Sequence, residues 1–224
     1  MHRSHPNIYI FENANVNELL RKMVMMNKDL ESLLSELKTV HEDLRLIPTE
    51  IIVVADWVRL KCRYGCGNYG KHLCCPPFSP TPQETRAALS EYRNAVLARF
   101  EAKPDSKLTP RHAVKALSNS VVKMQKTVAE LERTAFLAGC YKAFGMNAMP
   151  CALCETCVIE EIQKKDQAVF ELDGVKCKNK EIMRPSMEAC GIDVFKTLQN
   201  AGYRPHVLKD CKEMVELFGL ILLD

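Results

Sequence analysis

Apolar residues Leu19, Met23, Met26, Leu30, Leu33, Leu37, Val40 and Leu44 recur at alternating steps of four and three. This heptad spacing predicts one helix over residues 16–45. Leu20 and Leu34 widen the stripe, so the helix is expected to dock on its own domain or on a twofold partner rather than form an isolated coiled coil. Met23, Met25 and Met26 read as core filling. The β-branched run "EIIVVADWVRL" predicts one or two strands leading to Cys62. In "SPTPQETRAALSEY", Thr81 is the expected N-cap, Pro82 the first helical residue, and Glu84 the closing member of a capping box.

"NAVLARFEA" reads as a strand and "KPDSKLTP" as a polar loop. Thr109–Pro110 repeats the helix-start signal. Val114, Leu117, Val121, Met124, Val128, Leu131 and Ala135 then predict a second long amphipathic helix, with a break at residues 118–120 and an end near "GCYKAFG". "AVFELDGVKC" reads as a hairpin or connector. A helix capped at Asp193 and stopped at Gly202 follows, then strands at "YRPHVLK" and "FGLILLD" with a helix at "DCKEMVEL" between them. The alternation predicts an α/β or α+β fold, with a mixed sheet, long amphipathic helices and two cysteine-rich metal-binding loops. It divides into an N-terminal helical segment, 1–48, and a cysteine-rich domain, 49–224.

Composition narrows the class. The 224 residues are 47% hydrophobic and 26% charged, ordinary for a globular chain. A net charge of +3 with scattered bases argues against nucleic acid. There is no apolar run of membrane-spanning length, and "MHRSHPNIYIFENAN" lacks a signal-peptide core. The expectation is a cytoplasmic protein, whose eleven cysteines read as metal ligands or catalytic groups rather than disulfides.

The cysteines fall in groups. Cys151-x2-Cys154-x2-Cys157 curls three thiolates around one corner of a cubane, and a remote cysteine completes it. Cys177 is the expected fourth ligand, with Cys190 in reserve. Zinc is the alternative, although zinc sites usually pair two separate C-x2-C knuckles.

The other group is "CRYGCGNYGKHLCCPP", with Cys62, Cys66, Cys74 and Cys75. Pro76 and Pro77 bias Cys75 toward extended backbone, so Cys74 and Cys75 should point to opposite sides. One of them faces the centre of Cys62 and Cys66. A fourth ligand then comes from His72, Cys74 or Cys190, or one iron stays open to substrate. His72 alone reads as a loop histidine, and Tyr64, Tyr69 and Lys71 line a site or cover the loop. Cys140 and Cys211 read as packing.

The stretches "VRLKCRYGCGNYGKHLCCPPFSPTP", "ELERTAFLAGCYKAF", "PCALCETC" and "RPSMEACGIDVFKTL" resemble an uncharacterised family of predicted metal-binding proteins found mostly in anaerobic bacteria and archaea. The resemblance implies cysteine-ligated metal, iron–sulfur in kind, and brings no reaction with it. It matches Cys75 to the cysteine before two prolines, which favours Cys75 over Cys74 as ligand. "CKNKEIMRP" is looser than the family pattern around Cys177.

Arg184, Ser186 and Glu188 could fork onto a small anionic substrate, or else cap and tie the next helix with Arg184 and Glu188 paired. The leading functional expectation is an iron–sulfur protein with two [4Fe-4S] clusters, bound by Cys62, Cys66 and Cys75 and by Cys151, Cys154, Cys157 and Cys177, serving electron transfer with a redox partner protein. Two others stand beside it. One is a non-redox enzyme using an open iron for sulfur transfer or desulfuration. The other is a zinc-stabilised interaction module, with the N-terminal helix as a homodimer face.

Overall fold

The computed structural model describes residues 29–102, 117–164, 175–210 and 213–224. Expectations for residues 16–28, "KPDSKLTP", Thr109–Pro110, Cys211 and most of "AVFELDGVKC" lie outside them. In chain order the helices are α1 (29–40), α2 (Trp57–Gly65), α3 (Pro82–Leu89), α4 (Ser118–Leu137), α5 (Val158–Gln163) and α6 (Val194–Asn200). The strands are β1 (Leu44–Pro48), β2 (Asn94–Ala102), β3 (Phe144–Met146) and β4 (Val215–Leu223).

The strands form one sheet in the order β1–β2–β4–β3, and each pairing is antiparallel. The architecture is α+β. β2 and β3 run the same way but are separated by β4, so the expected mixed sheet resolves into antiparallel hydrogen bonding. β2 and β4 pair along their full length, from Asn94↔Leu223 to Ala102↔Val215.

Side chains alternate across this sheet. Ala95, Leu97, Phe218, Leu220 and Leu222 enter one core with Ile47 and Met146, while Val96, Ala98, Ile221 and Leu223 enter another. Helices α1 and α4 cover the second face through Leu33, Leu37, Leu131 and Ala135. The first face is covered by Leu89 of α3, Leu198 of α6, and Met187 and Ile192 from the connection between β3 and β4. Burial on both faces explains the unbroken apolar run "FGLILL". Gly219 sits where α4 comes closest, since a Cβ there would lie 2.5 Å from Val128 Cγ2.

The capping box of Thr81 and Glu84 and the Asp193 cap of α6 form as expected. "NAVLARFEA" is β2, and the end of the chain is β4. α4 begins at Ser118, so residues 118–120 are its first turn among the described residues.

Four expectations are corrected. The seam-bearing helix stops at residue 40, and Leu44 belongs to β1. Leu44, Leu46 and Ile47 serve the two faces of a strand, and a step of four from Val40 to Leu44 cannot distinguish the two. "EIIVVADWVRL" becomes a 3-10 turn (Thr49–Ile51), a single bridge from Val54 to Ile192, and α2. Strand propensity spans only about 1 kcal/mol, and β2's free edge is already taken by β1. "YRPHVLK" is irregular, and "EMVEL" leads into β4 rather than forming a helix.

Candidate metal centre

Both cysteine groups sit in long connections. β1 to β2 carries Cys62, Cys66, Cys74 and Cys75; β3 to β4 carries Cys151, Cys154, Cys157, Cys177 and Cys190. The two connections are stitched together backbone to backbone. Ala55 N donates to Gly191 O at 2.8 Å, and Asp193 N to Val53 O at 2.7 Å. Arg59 Nη1 donates to Ala189 O at 2.6 Å and to Pro80 O at 2.8 Å. Ser79 Oγ donates to Ala189 O, and Thr85 Oγ1 to Cys190 O, each at 2.7 Å.

Cys151, Cys154, Cys157 and Cys177 line one pocket, together with His72, Cys74 and Asn179. The expected second group is therefore brought together, and the first group contributes to it. The backbone of the adjacent pair differs from the sequence reading. Residues 71–79 form a series of turns, not an extended segment, with Cys75 N donating to His72 O, and Phe78 N and Ser79 N to Cys75 O. Both cysteines are buried. Cys74 meets Cys151 thiol to thiol, and Cys75 stands beside Cys74.

These contacts set the thiols' acidity. The hydrogen bond that the Cys151 thiol donates to Cys74, then burial, raises Cys151 far above the ordinary thiol range. Cys74's bond to Cys151 pulls it down, but the bond to Cys75 and burial prevail and push it up to about 12. Cys157 is the opposite case. Burial raises it, yet hydrogen bonds from His72 and from the Ile159 and Leu73 amides bring it below the ordinary value. That same thiol raises His72. Cys177 is raised by burial.

Two polar residues not singled out from sequence hold this loop. Asn179 donates through Nδ2 to Cys154 Sγ at 2.9 Å and through its amide to Cys177 Sγ at 3.3 Å. Gln125 of α4, buried, donates to Pro150 O at 3.0 Å and accepts from Ala152 N at 3.1 Å. Gln125 had a signal: it occupies the apolar stripe between Val121 and Val128, where an amide needs partners.

Around the other group, Cys62 lies in α2 and Cys66 directly follows its last residue. Cys62 is raised by burial and then by Cys66, and its Sγ lies 3.9 Å from Glu188 O. Glu188 sits in the 3-10 turn Glu188–Cys190. Burial raises its carboxyl, which Ser186 and its own amide face, while Oε2 is enclosed with no hydrogen-bond partner. Such an orphan costs about 1–3 kcal/mol or more. Cys190 is wholly buried among Leu89, Met187 and Ile192, and burial pushes it up to about 12. Gly191 closes the turn at φ +83°, and a Cβ there would lie 2.7 Å from Pro82 Cγ.

Of the candidate anion-binding residues, Arg184 pairs with Glu132, not with Glu188. Its Nε reaches Glu132 Oε2 at 2.7 Å, and the same oxygen accepts Gly145 N at 2.7 Å. Ser186 Oγ accepts from Ala189 N at 3.1 Å. Arg184 thus ties the β3–β4 connection to α4, and Ser186 braces the turn that follows it.

All cysteines of the described residues are free. Among those residues no three Cys, His, Asp or Glu side chains converge on a position for a single metal ion. The donors ring a pocket, and they are soft thiols of the kind that take zinc, Cu(I) or iron–sulfur clusters. No helix of the described residues is long and apolar enough to cross a membrane. No curated protein and no solved structure matches the chain. A family model does match, over residues 45–223, which includes β1 through β4 and both cysteine connections. The chain thus belongs to the predicted metal-binding protein family DUF2284.

Proposed function

We propose that this protein is an iron–sulfur electron carrier of a reducing cytoplasm, with a first [4Fe-4S] cluster on Cys62, Cys66 and Cys75 and a second on Cys151, Cys154, Cys157 and Cys177. The observation that carries the reading is the gathering of five cysteines, Cys74 included, around one pocket. Their order in the sequence, three cysteines at C-x2-C-x2-C with another downstream, supports a cluster over zinc. A tetrahedral zinc site, with bonds of about 2.3 Å, needs its thiolates within roughly 4 Å of one another. A cubane instead gives each thiolate its own iron, so its ligands surround a volume rather than a point.

The cluster would supply one-electron redox chemistry; the chain's own part is to hold and tune it. Asn179 directs two N–H groups at sulfurs, which disperses charge and raises the potential. Cys74 links the second pocket to the loop of the first, so the two centres would be neighbours.

Anaerobic purification with iron, zinc and sulfide analysis tests this. Brown protein absorbing near ~400 nm, with acid-labile sulfide, is expected. Loss of one EPR signal on C62A and of a different one on C154A would assign the two groups. Colourless protein holding zinc would replace the reading with the zinc-stabilised module.

A further inference from the structure

We propose that His72 is a positioning residue of the second centre, donating a hydrogen bond to the Cys157 sulfur from the connection that carries the first group; this rests on the iron–sulfur reading above. Four observations converge on that residue. His72 lines the same pocket as Cys151, Cys154, Cys157 and Cys177, although it belongs to the other connection. Its ring is hydrogen-bonded to the Cys157 side chain, and the amide of the next residue, Leu73, bonds the same sulfur. The ring has a second partner: Nε2 lies 3.2 Å from Asn68 Oδ1, while Asn68 Nδ2 donates to Cys66 Sγ at 4.0 Å. Finally, the turn that carries the ring is pinned. Gly70 N donates to Pro76 O at 2.8 Å, and Cys75 N donates to His72 O at 2.9 Å. Gln163 of α5, the helix that starts next to Cys157, donates to Gly70 O at 2.9 Å.

The local chemistry suits the role. A metal-bound thiolate can only accept, so His72 is the donor of the pair. His72 and the Leu73 and Ile159 amides then serve Cys157, while Asn179 serves Cys154 and Cys177. Such bonds disperse charge from the sulfurs and favour the reduced cluster. Asn68 orients the ring, as outer partners orient the groups around a metal. Cys66, Asn68, His72 and Cys157 thus form one continuous run of side chains between the two cysteine groups.

The test compares anaerobically purified wild type with H72A, H72N, H72Q and N68A, by iron and sulfide per chain and by redox titration followed by EPR. H72A should keep its iron and shift the second centre's midpoint potential to more negative values, with the first centre's signal unchanged. The amides of H72N and H72Q stand near the two ring nitrogens, so one of these variants should keep the potential closer to wild type. N68A should shift it the same way by less, and the double variant H72A/N68A no further than H72A alone. Should H72A fail to hold the second cluster, H72Q and N68A carry the same comparison. A wild-type potential in H72A, or an equal shift in H72A, H72N and H72Q, would overturn the inference while leaving the iron–sulfur reading in place. So would a three-iron signal at the second centre of H72A, which would make His72 a ligand. A wild-type chain without iron and sulfide would overturn the reading itself.

Discussion

Cys74 and Cys151 meet thiol to thiol although one belongs to the β1–β2 connection and the other to the β3–β4 connection. That contact makes the two cysteine groups parts of one region. It also fixes how the metal-free protein responds to base.

Cys74 and Cys190, each pushed up to about 12 from the usual 9.0, keep their protons in the fold at pH values where an unfolded thiol has lost its own. The folded state then binds more protons than the unfolded one, so stability falls as pH rises. Metal-free protein should hold its stability below pH ~9 and lose it progressively toward ~12. Urea unfolding at stepped pH measures this. C190A should flatten the alkaline decline, and an undiminished slope in that variant would refute the assignment.

Asn179 donates to two sulfurs of the second group. With a cluster bound, N179A should lower that centre's midpoint potential by roughly tens of millivolts, since its side-chain bond to sulfur is lost. Redox titration followed by EPR would show it. Iron content should not change.

Arg184 and Glu132 are each mostly buried and bonded to each other. R184A leaves the carboxylate unpaired and should destabilise the fold by about 3–5 kcal/mol. The double variant R184L/E132L should recover much of that loss, because both charges leave together. Chemical denaturation of the four proteins of the cycle gives the coupling. If Arg184 instead served a substrate alone, stability would not move.

Gly191 holds a left-handed conformation against Pro82. G191A should cost at least about 1–3 kcal/mol from backbone strain, before the clash is counted. It should also shift the Glu188–Cys190 turn that the alanine would follow. A lowered melting temperature together with reduced metal content is expected; unchanged metal content would separate the turn from the centre.

The fold was readable wherever a local signal has one meaning. Thr81, Pro82 and Glu84 spell a helix start, and Asp193 another, because caps depend only on near neighbours. The step from Val40 to Leu44 and the run from Glu50 to Val54 are ambiguous, since their state depends on which edge of the sheet is free. Likewise, the C-x2-C-x2-C spacing already groups Cys151, Cys154 and Cys157, which line one pocket in the fold. Nothing near Cys74 says that it faces Cys151 rather than Cys62, because that depends on turns through residues 71–79. Glu132 could not be matched to Arg184 from sequence, as the partners lie on different elements. Gln125 could have been found as a polar residue in an apolar stripe.

β4 follows every other described element in the chain yet lies between β2 and β3 in the sheet. A ribosome therefore releases both cysteine loops before it makes the strand that aligns the scaffold beneath them. The sheet beneath the cysteine connections closes only once translation has reached β4.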